Sequence, residues 1–354
     1  MSTIDSSILT PFENGSGGAS PSRARDGAGV GVFVAACLAV AVLAAALAGW
    51  VPLGFSIVTV FLFAGPHNWM EFRYFLTKMP AHWGPMRGFF VAAIGGVLVL
   101  TGAFLAMPVL GRQFAWDERA WAYASATWNS VLVLWVAGLV RAHFALKRDG
   151  DVHPAAAWAW PVALALVAGV WYAPHAWEIG LVYLHPLVAL WFLDRELGRR
   201  RPAWRGAYRA CLCVVPLLLA VIWWRLHDAP ALAGQDMLSM RITRHAGAEF
   251  MSGVSAHALV ATHTFLEMLH YGVWVVAIPL IATRTAPWRL GTAPLVRRSR
   301  AWRTAVVVLL GLGLATVLAL WGGFVADYPL TRDLYFTVAI AHVLAEAPFL
   351  LRTF

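Results

Sequence analysis

Cysteine is scarce in this chain of 354 residues: Cys37, Cys211 and Cys213 are the only three, all in apolar runs and without a zinc-ligand spacing. That disfavours a thiolate metal site, and the three read as small core residues that say nothing firm about redox compartment. Charge is scarce too. Asp, Glu, Lys and Arg make up 13% of the chain and hydrophobic residues 60%, whereas a soluble domain carries about 25% charged residues. That balance describes a polytopic membrane protein. The net charge of +9 does not point to nucleic acid, because the basic residues sit in short connections between apolar runs and form no recognition motif. Also missing are a glycine-rich nucleotide loop, a Gly-x-Ser-x-Gly nucleophile turn, a His-Glu-x-x-His zinc helix and the His-x-x-His-His boxes of membrane desaturases. No flavin or iron–sulfur reductase module is visible. No internal repeat argues for a transporter built from paired halves.

What is present is a succession of apolar runs. Residues 1–28 are Ser-, Gly- and Pro-rich and read as a disordered cytoplasmic tail with no signal-peptide order. Residues 29–354 read as a single transmembrane helical domain. Runs long enough to cross a bilayer fall at 29–48, 51–74, 88–110, 121–145, 155–173, 177–196, 207–226, 252–283, 302–324 and 331–352. The expected fold is all-α, a polytopic transmembrane helix bundle of about ten spans. Connections rich in Lys and Arg (Arg73 to Arg87, Arg141 to Arg148, Arg195 to Arg209, Arg284 to Arg303) alternate with poorer ones. The positive-inside rule then places both termini in the cytoplasm of a bacterial inner membrane. Tyr74–Phe90, aromatic, basic and broken by Pro80 and Pro85, is expected along the cytoplasmic interface, and Arg195–Arg209 as a topology-setting loop that meets anionic membrane lipids.

The stretch 254–284 is apolar enough to span, yet contains His257, His263, Glu267 and His270. Ionisable groups at bilayer depth cost a few kcal/mol each and tend to face the bundle interior. His263, Glu267 and His270 stand at i, i+4 and i+7 and share one helix face. Three other spans repeat the theme: one with His67, Asn68 and Glu71, one with His185, and the last with His342 and Glu346. His-x-x-x-Glu thus recurs at His67/Glu71, His263/Glu267 and His342/Glu346. His67, His270 and His342 precede the arginines ending their spans by roughly 6 to 14 residues, about 9 to 21 Å, and His185 lies at a similar depth. One layer can hold all four.

Imidazole and carboxylate together suit iron, zinc, copper or manganese. The expected metal ligands are His67, His185, His270 and His342, with His263 as a further candidate. Glu71, Glu267 and Glu346 are the expected catalytic carboxylates, as ligands or as groups orienting the imidazoles. Non-haem iron (Fe2+) is the favoured cofactor and haem between two histidines the alternative. His143 is a possible fifth ligand, His245 with Glu249 a cap on an interfacial helix, and His82, His153, His175 and His227 belong to loops. An iron-dependent membrane oxygenase would admit a lipid-soluble substrate such as a carotenoid, another isoprenoid or an acyl chain, with dioxygen. A transporter or channel relaying protons or cations through the same His and Glu residues is the competing reading, and a haem-holding membrane subunit a third.

Gly65-Pro66-His67, His185 after its apolar-aromatic run, Leu269-His270-Tyr271-Gly272 and Ala341-His342 resemble the histidine elements of the Brp/Blh family of membrane β-carotene-cleaving oxygenases. That resemblance implies a histidine-coordinated iron and cleavage of an apolar polyene by dioxygen.

Overall fold

In the computed structural model, residues 21–145, 154–230, 232, 236–251, 253–282 and 290–353 are described, and among them the chain is helical, with no strand. Helices α1 (Pro21–Trp50), α2 (Pro52–Lys78), α3 (Arg87–Gln113), α4 (Glu118–Ala145), α5 (Pro154–Tyr172) and α6 (Pro174–Arg200) come first. They are followed by α7 (Pro202–Leu212), α8 (Val214–Leu226), α9 (Met237–His245) and α10 (Ala256–Gly272). After a π turn at Val273–Ala277 come α11 (Ile278–Ala282), α12 (Pro294–Arg298), α13 (Arg300–Ala326) and α14 (Tyr328–Leu351). Nine helical stretches among the described residues are long and apolar enough to cross a membrane, α7 with α8 and α10 with α11 each counting as one. Helix α2 matches them in length, and its His67, Asn68, Glu71, Arg73 and Lys78 set it apart in composition. This is a multi-pass membrane bundle.

Two local features, the tail boundary and the Arg195–Arg209 loop, differ from the sequence expectation, and the 74–90 stretch acquires a defined secondary structure. Residues 1–20 lie outside the described part, and α1 already begins at Pro21, so the last residues assigned to the tail extend a helix instead. Proline at a first helical turn lacks only an N–H that has no partner there anyway. The aromatic-basic stretch 74–90 is mostly helix: α2 runs on to Lys78, and a short turn with Gly84 at φ +45° leads into α3. The Arg195–Arg209 loop shrinks to a corner at Arg201 between α6 and α7. Two carboxylates hold that corner. Asp194 accepts from both Arg205 (2.6 Å) and Arg209 (2.8 Å), and Glu196 from Lys78 (2.6 Å), Arg200 (3.1 Å) and the Tyr74 hydroxyl (2.9 Å).

Helix α10 is the axis of the bundle. Every residue from Ala258 to Tyr271 except Met268 is buried, against α1, α2, α6 and α8. Without a hydrophobic drive between helices in lipid, close approach depends on small side chains. Ala41, Ala44, Ala45 and Ala48 of α1 supply them, packing on Ala258, Ala261 and Phe265. Ser255 caps α10 by accepting from the Ala258 amide. The helices α2, α6 and α14 end together at the arginine-rich side, where Lys78 meets Glu196 and an Arg352 N–H donates to the Lys78 carbonyl (2.9 Å).

Close packing of α3 on α4 depends on Gly96, where an added Cβ would overlap the indole of Trp135, itself fixed by donation to the Ala92 carbonyl (2.9 Å). Gly96→Ala is expected to destabilise the protein by about 1–3 kcal/mol through overpacking, whereas Gly95→Ala, which meets open space, is expected to be neutral or better. Thermal unfolding of the two variants in the same detergent checks the difference.

Candidate metal centre

Each of four helices delivers one imidazole: His67 from α2, His185 from α6, His270 from α10 and His342 from α14. Their ring centroids stand 5.4 Å (His67–His270), 5.1 Å (His67–His342), 4.8 Å (His185–His270) and 5.3 Å (His185–His342) apart. Two carboxylates join them. Ligand atoms of His67, Glu71, His270 and His342 all lie within 4.8 Å of one another, as do those of His185, His270 and Glu346. Two nitrogens bound at about 2.1 Å on opposite sides of one ion stand about 4.2 Å apart, so small rotamer adjustments suffice for shared ligation.

Backbone irregularity accompanies this layer. Pro66 precedes His67 and Pro186 follows His185, each inside its helix, where proline removes an amide donor and bends the axis. The π turn begins three residues after His270, and such turns inside helices collect at functional sites. Backbone carbonyls of the same layer orient two of the rings. His67 Nδ1 lies 3.0 Å from the Phe63 carbonyl and His270 Nδ1 3.4 Å from that of Pro186. A carbonyl only accepts, so each Nδ1 carries the proton and each Nε2 keeps its lone pair. Both Nε2 atoms are buried without a hydrogen-bond partner, as are both ring nitrogens of His342. This is the outer-shell arrangement that fixes tautomer and aim in histidine metal ligands.

The carboxylates carry the same message. Glu71 is fully buried and neither of its oxygens has a partner. Glu346 accepts from His185 Nδ1 at 3.1 Å through one oxygen, and its other oxygen is unsatisfied. Buried charge without a partner costs several kcal/mol. A cation among these six side chains would supply the missing partner for nitrogens and oxygens alike, so the residues present fit a metal.

Two of the expected site residues belong elsewhere. His263 and Glu267 fall in neither ligand group; they form a neighbouring polar chain on the side away from the arginine-rich end. Glu267 accepts from the Tyr271 hydroxyl (2.7 Å) and its other oxygen lies 3.8 Å from His263 Nδ1. The reason is axial separation: His263 and His270 share a face but stand nearly two turns apart, about 10 Å along the axis. The chain continues outward to His245 of α9, whose ring is 5.0 Å from that of His263. Burial, then the neighbouring His263 and Arg332, push His245 well below the ordinary histidine range. His245 therefore packs into this chain as a neutral ring, beyond the expected role of an interfacial cap. Tyr271 links the two groups, its ring 4.3 Å from that of His67. His143 packs on Phe89 at 5.8 Å, outside either ligand group; His153 lies outside the described residues.

Below the histidine layer, toward the arginine-rich end, Tyr74, Phe75, Phe192, Trp274 and Phe349 form an aromatic plug. Trp274 is completely buried, and Phe75 stacks on Phe349 at 4.3 Å. On the other side a cavity of about 500 Å³ opens, reaching from the four imidazoles past Phe104, Met107 and Trp128 to Ser125, Asn129 and Glu178. That volume lies within the range of small-molecule sites. Ser125, Asn129 and Glu178 were not foreseen as site residues. The polar i, i+4 pair Ser125/Asn129 inside the fourth apolar run was the available signal.

No protein family, curated protein or solved structure matches the chain.

Proposed function

We propose that the protein is a membrane oxidoreductase that holds non-haem iron between His67, His185, His270 and His342 and acts with dioxygen on a lipid-soluble substrate, a carotenoid, another isoprenoid or an acyl chain. The observation that carries this reading is the convergence of four imidazoles from four helices, with the Nε2 atoms of His67 and His270 buried and unpartnered beside an apolar cavity. Bound iron would supply the capacity to bind and activate dioxygen. The chain's own groups do the rest. Glu71 and Glu346 balance the ion's charge, and the Phe63 and Pro186 carbonyls hold two rings in register. The aromatic plug keeps water from the arginine-rich side away from the reacting region. The cavity aligns an apolar chain against the imidazoles. The Brp/Blh resemblance points the same way.

Non-haem ligation is favoured over haem because five of the six pairs among the four rings stand 4.8–6.3 Å apart. A macrocycle slid between any two would collide with the others. Transport is disfavoured by the plug: the polar chain His245–His263–Glu267–Tyr271 reaches the histidine layer, and the packed aromatics of Tyr74, Phe75, Phe192, Trp274 and Phe349 stop any continuation through the bundle.

Purified protein is expected to contain about stoichiometric iron and no Soret band, and to consume dioxygen when supplied with a polyene or isoprenoid. Metal-free protein with proton-coupled flux in vesicles would replace this reading by transport.

A further inference from the structure

The cavity is chemically two-ended. At one end stand His185, His270 and His342; at the other stand Ser125 and Asn129 of α4 with Glu178 of α6. Glu178 and His185 are separated by seven residues on one helix, two turns, so they share a face about 10 Å apart. Between them Phe104, Met107 and Trp128 contribute broad apolar faces on one side, while His245, His263, Glu267, Tyr271 and Tyr335 line the side toward α9 and α10.

The hydrogen bonding of the far end determines what it can recognise. The Ser125 hydroxyl donates to Glu178 and accepts from the Asn129 side-chain amide (3.3 Å), which also donates to the Ser125 carbonyl (3.0 Å). The Asn129 oxygen accepts from the Trp177 indole (2.9 Å). Every donor at this end is therefore committed. Glu178 is different: a carboxylate offers about four acceptor positions, and among the described residues Ser125 and, at 4.0 Å, His175 approach it. What remains facing the cavity is acceptor capacity alone.

We infer that the cavity takes a long-chain lipid alcohol, its hydroxyl donating to Glu178 beside Ser125 and its apolar chain running along α6 to the four imidazoles. This deepens the oxidoreductase reading and rests on it for what happens at the histidine end. A free fatty acid or an ester brings only acceptors to Glu178 and meets repulsion there, so the inference selects isoprenoid or polyene alcohols among lipid-soluble substrates. The hydroxyl also fixes which part of the chain reaches the metal layer, about 10 Å from the head.

The test uses the full chain in lipid nanodiscs and farnesol carrying a tail diazirine, cross-linked by light and mapped by peptide mass spectrometry. Unlabelled farnesol, farnesyl methyl ether and farnesoic acid compete. Methylation keeps the shape and removes the donor. Farnesol is expected to compete roughly ten- to hundredfold better than the ether, the range for a hydrogen bond to a charged group, with farnesoic acid weakest and cross-links on α3, α4 or α14. Glu178→Leu should bring farnesol down to the level of the ether while leaving iron content unchanged, and Ser125→Ala should do so in part. Equal competition by alcohol and ether overturns the inference, and it is decided on the wild-type chain even if Glu178→Leu does not fold. Discrimination in protein that contains no iron leaves the lipid-alcohol site standing and removes the oxidoreductase reading. Iron-loaded protein without discrimination does the reverse.

Discussion

His270→Ala is expected to abolish metal binding, and His263→Ala is expected to retain it. Both residues lie on α10, both are buried, and the sequence pattern treats them alike, so the contrast tests placement and not burial. His270 belongs to both ligand groups, whereas His263 belongs to neither and faces Glu267 and His245. Losing an outer-shell partner of a ligand typically weakens metal affinity about 10- to 100-fold. Loss of the shared imidazole itself is expected to exceed that, leaving purified His270→Ala with no measurable iron, while His263→Ala stays near the wild-type content. His342→Ala should follow His270→Ala. The measurement is elemental analysis of monodisperse protein after dialysis against a weak chelator. If the two α10 variants lose iron equally, the metal lies in the His245–His263–Glu267 chain and the four-histidine centre is wrong.

Much of this centre was legible from residue spacing alone, for a physical reason. Spans read as alternating in direction put the second, sixth, eighth and tenth in from the same side, and separations of roughly 6 to 14 residues from their terminal arginines let His67, His185, His270 and His342 share one layer. The structure brings those four together with Glu71 and Glu346. Depth along the membrane normal can be read from sequence because 1.5 Å per residue is a fixed rise. Lateral neighbours cannot. His263 shares the face of His270, and only the packing of α9 against α10, which brings His245 to His263, shows that it points into a different polar group. The same limit hid the far end of the cavity. Ser125 and Glu178 lie 53 positions apart, and nothing local in either segment indicates that α4 and α6 face each other there. The proline beside His67 and that beside His185 are visible in the sequence, but which backbone carbonyls orient the imidazoles needs coordinates.

The carboxylates yield a prediction whose sign is its content. Glu71 is completely buried in α2 with both oxygens unpartnered, so in the absence of a cation it is a liability to the fold. Glu71→Gln keeps the shape and removes the charge. In metal-free protein the variant is expected to be more stable than wild type, because a neutral amide costs less to bury unpartnered than a carboxylate does. With metal the order reverses. A ligand at about 1,000 times its dissociation constant stabilises the native state by roughly 4 kcal/mol, and the wild type should gain most of that from ferrous iron added without oxygen. The variant, having lost the oxygen that faces the ion, should gain much less. Thermal unfolding of both proteins, each with and without iron, yields four midpoints, and a crossing of the two pairs is the expected result. Should Glu71→Gln be the less stable protein in both conditions, Glu71 serves the fold through a partner other than a cation, and the carboxylate half of the centre has to be abandoned.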